Sequence, residues 1–555
     1  MAKYAIGLDF GTSSVRALIV DCADGIEVGT SVWNYPSGSN GILSDPKNPE
    51  VARQAPGDYV QGICESIRLA LKDSKGHDGF SAKDIVGIGV DTTASTPMPL
   101  DKNGSPLAES DKFKGRLDAQ AWLWKDHSSY AEAEELTRLS DSLGASYMQM
   151  VGGSYSSEWF WAKALRCARD SSDVFDRAHT WMELCDFVPS QLTGAGTDIK
   201  RGVCAAGHKW LYNEDWGGLP EAQFLSKLDP RLGQLRDRLY NRAWPSDQIC
   251  GTVETRLAKS LGLGTDVKVA VGCIDAHSGA VGSGVGPGTM VKILGTSACD
   301  IMVVAPEKGA PLPFVPGLSG VVRDSVLPGY LGFEAGQAAV GDIFDWFVKN
   351  MCGQQSHKKL FEEAGKIRPG TSGLLALDWN NGNRCVLADP RLTGLMVGQT
   401  LSTTPPEVLR ALIEASAFGA LMIIERMEQY GAKIDTIVAC GGIAEKSPFI
   451  LQILADVTGR QIAASRSNQS CALGSAIFGA VAGGAHSSVP AAQRAMAGLK
   501  DKVYVPDSRS TKVYGRLFAC YKALHDAFGR PDKSISLGWV MKELLILRDL
   551  TRSAT

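Results

Sequence analysis

Apolar residues in this chain arrive in short blocks that stop on small polar residues and then resume. "KYAIGLDF" breaks at Gly11-Thr12-Ser13-Ser14 and continues as Val15 to Val20. Two strand-length runs joined by a short turn predict a β-hairpin. The arrangement returns where "TMVKIL" runs into Gly295-Thr296-Ser297 and continues to Val304. A second pair follows in the same order. "DIVGIGVDTTAS" at Asp84–Ser95 and "DTIVACGGIAEKS" at Asp435–Ser447 both read as buried strands ending on small polar residues. A repeated hairpin-plus-strand unit predicts an α/β fold of two duplicated lobes with a central cleft.

Helices are predicted around that frame. "TTPPEVLRALIEASAFGALMIIERMEQYG" has Pro405 and Pro406 near its start and Gly431 just past its end, and it is apolar on most faces. That asymmetry marks helix termini, and the composition predicts burial between layers. "KSPFILQILADVTG" places Ser447 at an N-cap and Pro448 at the first helical position. "CALGSAIFGAVAGG" is rich in small residues, which suits close packing on a sheet. Eight of the twelve tryptophans lie from Trp122 to Trp244, a stretch that reads as an insertion on the first lobe. The last residues, 551–555, are expected to fray.

Bulk properties narrow the class. A chain of 555 residues exceeds what one core usually serves. With a formal charge of −3 it has no basic footprint for nucleic acid or anionic lipid. The 13 cysteines are scattered without a C-x-x-C pair, and Cys273, Cys299 and Cys440 sit in apolar runs. They read as reduced, mostly buried thiols, not a disulfide frame or zinc site. Asp9, Arg16 and Asp21 interrupt the first apolar stretch, which argues against a cleavable signal. No apolar run is long enough to span a membrane. A cytoplasmic protein is expected.

The turns suggest chemistry. Glycine lets backbone N–H groups approach a ligand, and Ser/Thr hydroxyls add donors. Two such turns across a cleft would hold a polyphosphate, and Asp9 beside them would repel it unless it holds a divalent cation. The alternative is an ordinary hairpin with a solvated Asp9. No G-x-x-x-x-G-K-[ST] phosphate loop is present. "GSGVGPG" at Gly282–Gly288 reads as a loop. Gly441-Gly442 precede a helix and could bare backbone to a nucleotide, or serve only a tight turn. Asp275, at the mouth of "VKVAVGCI", reads as a helix cap or as a general base. His277 beside it is expected to be neutral, either supporting its neighbours or simply packed in the core.

These motifs resemble the FGGY family of carbohydrate kinases over nearly the whole chain. The carriers include "AIGLDFGTSSVRALIVDC", "VGIGVDTTASTPMPLD", "WLWKDH", "GGSYSSEWFWAK", "ELCDFVP", "AAGHKWLYNEDWGGLP", "GCIDAHSGAVGSG", "KILGTSACDIMV", "LPGYLGFEAGQAAVGDIFDWF", "ALDWNNGNR" and "ACGGIAEKSPFILQILADV". The resemblance implies an actin-like, ribonuclease-H-like fold. Its first lobe (1–283) would bind the sugar and its second (284–555) the nucleotide. It implies an ATP- and Mg²⁺-dependent kinase that phosphorylates L-ribulose at O5 in L-arabinose breakdown. Another ketose or polyol (D-ribulose, L-xylulose, ribitol) is an alternative acceptor, and a non-catalytic actin-like switch is a remoter one.

Carried over by position, the resemblance makes Asp275 the general base and Asp9 the Mg²⁺ anchor. Gly11, Thr12 and Ser13 would meet the γ-phosphate, with Arg16 adding positive charge unless it is a plain strand-surface arginine. Gly295, Thr296 and Ser297 would hold the inner phosphates, and Gly441 and Gly442 the adenosine. Ala94, Lys209, Asp275 and Glu334 would line the sugar. Lys209 could instead be a solvated loop lysine, and Glu334 a helix cap. Most of the eight tryptophans are expected in the core, with Trp124 the first choice to face the sugar. Sugar and ATP are the expected partners, with no nucleic acid or membrane, and a homodimer is left open.

Overall fold

The computed structural model describes residues 3–353, 356–530, 534, 537 and 539–553. Its first sheet is built from β1 (Tyr4–Phe10), β2 (Ser14–Asp21), β3 (Glu27–Asn34), β4 (Ile85–Thr92), β5 (Ile249–Thr252), β6 (Lys268–Ala270) and β7 (Cys273–Ile274). Its second holds β8 (Thr289–Leu294), β9 (Ala298–Val304), β10 (Val321–Arg323), β11 (Leu331–Gln337), β12 (Thr436–Cys440), β13 (Gln461–Ser465) and β14 (Leu499–Tyr504).

The strand orders carry the duplication. The first sheet runs β5-β6-β4-β1-β2-β3, and the second β14-β13-β12-β8-β9-β11-β10. In each, a hairpin (β1–β2, β8–β9) pairs antiparallel with a third strand. On its other side each hairpin pairs parallel with the later strand predicted from the second echo (β4, β12). Another parallel strand follows (β6, β13), and an antiparallel strand closes the edge (β5, β14). Strands buried on both faces need covering helices, which is why they read as near-continuous apolar runs.

The helices that matter are α1 (Pro56–Asp73), α2 (Val203–Trp210), α3 (Asp275–Gly282), α4 (Pro405–Gln429), α5 (Pro448–Thr458) and α6 (Ser470–Ala482). In α4, Thr404 and Glu407 form a reciprocal capping box on either side of the two prolines, so its start is fixed locally. Ser447 is the N-cap of α5, although its side chain makes no cap hydrogen bond. Of the 282–288 stretch, Gly282 ends α3 and 283–288 connect it to β8, as expected of a loop.

Helix α6 belongs by sequence to the second half but lies on the first sheet. A Cβ at Gly7, Gly87 or Gly89 would meet the carbonyl oxygen of Ala472, Gly479 or Ser475 at 1.7, 1.9 and 1.8 Å. Helix and sheet backbones therefore touch with no side chain between them. Gly7→Ala is expected to destabilise the fold by roughly 1–3 kcal/mol or more, the usual cost of overpacking. Thermal melting against wild type checks it, and an unchanged midpoint would contradict this contact.

A separate hydrophobic cluster draws on residues 107–243, including Trp122, Trp159, Trp161, Trp181 and Trp210, and is joined from the second half by Val322 of β10. The tryptophan-rich insertion thus has its own core. All 13 cysteines are free thiols. Among the described residues no helix is long and apolar enough to cross a membrane. The chain end departs from expectation. A helix runs to Ser553, and the Arg368 guanidinium donates to the Thr551 carbonyl at 2.8 Å, while residues 554 and 555 lie outside the described set.

Candidate active site

The first hairpin turn is tied from below and from the side. The Gly11 N–H donates to the Ser14 carbonyl at 3.0 Å, closing the turn over Thr12 and Ser13. The Gln54 amide donates to the Thr12 carbonyl at 2.7 Å and is itself held by the Tyr59 hydroxyl at 2.6 Å. The Trp124 indole N–H donates to the Thr12 hydroxyl at 3.0 Å. The tryptophan chosen for the sugar is therefore also bonded to the phosphate-type turn. Neither Gly11 nor Gly295 is required by crowding, since a Cβ would meet only Ser14 O at 3.5 Å or Ser297 O at 3.7 Å. A glycine that the protein's own packing does not demand leaves room for a ligand against bare backbone.

Asp9, the last residue but one of β1, is 5 % exposed and stands opposite Arg16 on β2. The two form an ion pair at 3.1 Å, so Arg16 neutralises Asp9 in this structure. In the parallel register Asp9 also stands beside Asp91, a residue that sequence reading did not single out. Asp91 is fully buried, with Oδ2 accepting from the Ser475 hydroxyl at 2.6 Å. Its Oδ1 has no hydrogen-bond partner among the described residues. Burial first, then Asp9, pushes its acidity down, raising its pKa well above the carboxylate range. Asp9, Asp91 and Cys471 bring ligand atoms within 4.8 Å of one another. Two hard oxygen donors suit Mg²⁺ and a thiol does not, so the carboxylates fit that cation and Cys471 adds nothing to the fit.

Asp275 opens α3 at the mouth of β7. One carboxylate oxygen accepts from the adjacent Ala276 N–H at 2.7 Å, and the side chain is part-buried. The helix-cap reading is corrected: Ile274 is the N-cap, Asp275 is the first helical residue, and no side chain caps this helix. Its pKa is pushed up to about 7 by burial and then by Asp9, against the pull of that N–H. A carboxylate poised near neutrality is suited to taking a proton.

Lys209 and Glu334 correct both of their bland readings. Lys209 lies on α2, buried, and Glu334 lies mid-strand on β11 rather than at a helix start. Lys209 Nζ meets Glu334 Oε1 at 2.6 Å, joining the two halves of the chain. Burial works against both charges, but each partner outweighs it. Lys209 is held above its ordinary value and Glu334 well below the carboxylate range, with His208 and His277 adding to Lys209 on Glu334. A second ion pair crosses the other way. Arg384, from the second half, meets Glu158, from the insertion, at 3.3 Å. Trp159 is 5.5 Å from Lys209 Nζ at its ring centroid and offers a second aromatic face there.

Ala94 is half-buried in the turn after β4, against the core that both halves share. What holds that turn was hidden in the sequence. Lys163, fully buried, donates to the carbonyls of Ser95 (2.7 Å), Leu123 (2.8 Å) and Trp122 (3.3 Å). Glu183 accepts from the Thr96 N–H at 2.8 Å and the Trp210 indole at 2.7 Å. Asp126 pairs with Arg53 and accepts from the Ala52 N–H at 2.8 Å. So "WLWKDH", "YSSEWFWAK", "ELCDFVP" and "GHKW" contribute buried polar struts around the turn that carries Ala94.

The second turn is held by its own neighbours. Gly295 N–H donates to the Ser297 carbonyl at 2.9 Å, and the Thr296 carbonyl accepts from Val340 N–H at 2.8 Å. Gly441 has φ of +90°, and a Cβ there would sit 2.5 Å from the Leu294 carbonyl, so glycine is required by conformation and by packing against β8. At Gly442 a Cβ would meet nothing within 4 Å, which leaves that face open.

Comparison with known proteins gives the family and the fold. Residues 4–282 match the N-terminal domain, and residues 290–483 the C-terminal domain, of the FGGY family of carbohydrate kinases. The chain is 38% identical to the ribulokinase of Geobacillus thermodenitrificans, over 100% of this chain and 98% of that one. It is 39% identical to the ribulokinase of Vibrio parahaemolyticus, over 94% and 95%. Among solved structures it is similar to xylulose kinase from Rhodospirillum rubrum, with a TM-score of 0.77 at 22% identity over 95% of this chain and 99% of that one. It is also similar to Plasmodium falciparum glycerol kinase with ADP, with a TM-score of 0.75 at 16% identity over 94% and 98%. Fold, paired hairpin turns and full-length relatives lead to one conclusion: the chain belongs to the FGGY family of carbohydrate kinases.

Proposed function

We propose that this enzyme transfers the γ-phosphoryl group of ATP to O5 of L-ribulose, with Asp275 as general base. The observation that carries this reading is the convergence of Asp275, near neutrality, with the Lys209–Glu334 pair that joins the two halves. The full-length relatives named ribulokinase make ribulose the first acceptor to test. Phosphoryl transfer is loose in its transition state, so positioning and charge neutralisation matter more than base strength. Lys209 and Glu334 would orient the sugar hydroxyls, Ala94 would shape the pocket floor, and Trp124 or Trp159 would cover an apolar C–H face. Asp275 would take the O5 proton as the oxygen attacks.

Gly11, Thr12 and Ser13 would receive the γ-phosphate, with Arg16 released from Asp9 to share its charge. Gly295, Thr296 and Ser297 would hold the inner phosphates, and the open face at Gly442, shaped by Gly441, the adenosine. Asp9 and Asp91 would hold Mg²⁺, which when bound neutralises phosphate charge. On this reading the sugar lobe is 1–283 and the nucleotide lobe 284–555, and the enzyme works in the cytoplasm on sugar and ATP.

The test is sugar-dependent ADP release across L-ribulose, D-ribulose, L-xylulose and ribitol, with the phosphorylated carbon located by NMR. Strong preference for L-ribulose with phosphate on C5 is expected. Preference for another acceptor would reassign the substrate, and equal ADP release without sugar would overturn the kinase reading.

A further inference from the structure

We propose that His277 is a positioning residue of the sugar site, holding the Glu334 carboxylate in the orientation in which it meets substrate. The inference rests on the kinase reading above. A carboxylate on its own is loosely set about its terminal torsion. In Glu334 the two oxygens have different partners: Oε1 accepts from Lys209 Nζ at 2.6 Å and Oε2 from His277 Nε2 at 3.1 Å. Two donors on two oxygens fix the plane of the group. Because His277 is fully buried on α3, two residues after Asp275, one short helix carries both the candidate base and the clamp on the sugar-facing acid. The spacing between those two carboxylates is thereby set by one rigid element.

The surroundings of the other ring nitrogen keep a proton on Nε2. His277 Nδ1 lies 3.1 Å from the Cys204 thiol and 3.1 Å from the Ser325 carbonyl. In the neutral ring with its proton on Nε2, the thiol donates to Nδ1. In the charged ring, Nδ1–H donates to the Ser325 carbonyl. Both forms present Nε2–H to Glu334. The remaining tautomer would set a bare nitrogen lone pair against a carboxylate oxygen and is disfavoured. The groups facing His277 are Glu334 from β11, Cys204 and His208 from α2, and the Ser325 carbonyl, with Cys273 from β7 behind Cys204 and Lys209 reaching the ring only through Glu334. Cys204 lies in direct contact with the ring, so it tunes the clamp without touching the cleft.

The experiment compares wild type with His277→Leu, His277→Asn and His277→Gln by steady-state kinetics in both substrates, calorimetric sugar binding and thermal melting. His277→Leu and the too-short His277→Asn are expected to raise the ketose KM about ten- to hundredfold, the range of a hydrogen bond to a charged group. The KM for ATP should stay within about twofold. His277→Gln, whose amide can donate to Glu334, should recover most of the lost affinity. Should His277→Leu fail to fold, the Asn and Gln pair carries the comparison. The proposal is overturned if ketose KM is unchanged in the Asn variant, if ATP and ketose KM rise together, or if Gln is no better than Asn. If wild type itself shows no sugar-dependent ADP release, the kinase reading fails instead, a result these variants cannot mimic.

Discussion

Asp275→Asn is expected to lower kcat by about 10²- to 10⁴-fold, the usual worth of a positioned general base, while ATP and ketose still bind. The amide keeps the size of the side chain and can still accept from the Ala276 N–H, so the helix start survives. What it loses is the ability to take a proton. In wild type the carboxyl, pushed up to about 7 by burial and by Asp9, must be ionised to act. Its active form therefore disappears as pH falls through about 7, and kcat/KM should drop tenfold per unit below that point. The residual activity of Asp275→Asn should lose this limb. The same shift has a stability consequence of opposite direction. A carboxyl whose folded pKa is raised costs stability as pH rises from its unfolded value toward its folded one. Asp275→Asn should therefore melt higher than wild type at pH 8 and equally at pH 4. Turnover within tenfold of wild type would remove Asp275 from the chemistry.

Lys209→Met is expected to do more damage to both binding and folding. It leaves Glu334 buried, with its strongest compensating charge gone. Breaking a buried pair from one side typically costs about 3–5 kcal/mol. Part of that should appear as a lowered melting temperature and part as a ketose KM raised about a hundredfold or more, with ATP binding much less affected. The double variant Lys209→Met/Glu334→Gln removes the stranded charge, so it should recover melting temperature without recovering activity. Calorimetry with sugar alone, alongside melting of all three proteins, separates the two effects. A Lys209→Met enzyme with normal ketose KM would detach this pair from the sugar.

The parts of this molecule legible in the sequence are those whose cause is local. The hairpins announce themselves because apolar alternation stops at Gly-Thr-Ser and resumes. The long helix 405–429 does so because two prolines mark its start and Gly431 its end, and the structure adds a Thr404–Glu407 capping box that sequence reading did not single out. The two turns followed from their place at strand ends, whereas the same kind of position left Asp275 open between helix cap and base, and only the family resemblance pointed to the base. The parts that stayed hidden depend on partners far away in the chain. Nothing around Lys163 says that its ammonium will collect carbonyls from Ser95, Trp122 and Leu123, and nothing around Arg384 points to Glu158. Asp91 was visible only as a polar end to a strand, because its partner Asp9 stands on a neighbouring strand in parallel register. Glu334 was weighed as a helix cap for the same reason. Its role is set by Lys209 and His277, which no local pattern connects to it.

The placement of α6 on the first sheet changes what the two halves are. The segment matched at 290–483 contains the helix that seals Gly7, Gly87 and Gly89 on the sheet of the other segment. The core beneath it mixes Ala5, Leu18 and Ile274 with Val291, Val438 and Ile477. Each recognised segment is thus a unit of sequence history without being a unit of folding. A nascent chain grown only as far as the boundary holds an open backbone trough where its own lid should lie, and it must wait for the ribosome to deliver residue 482 before its first sheet is closed.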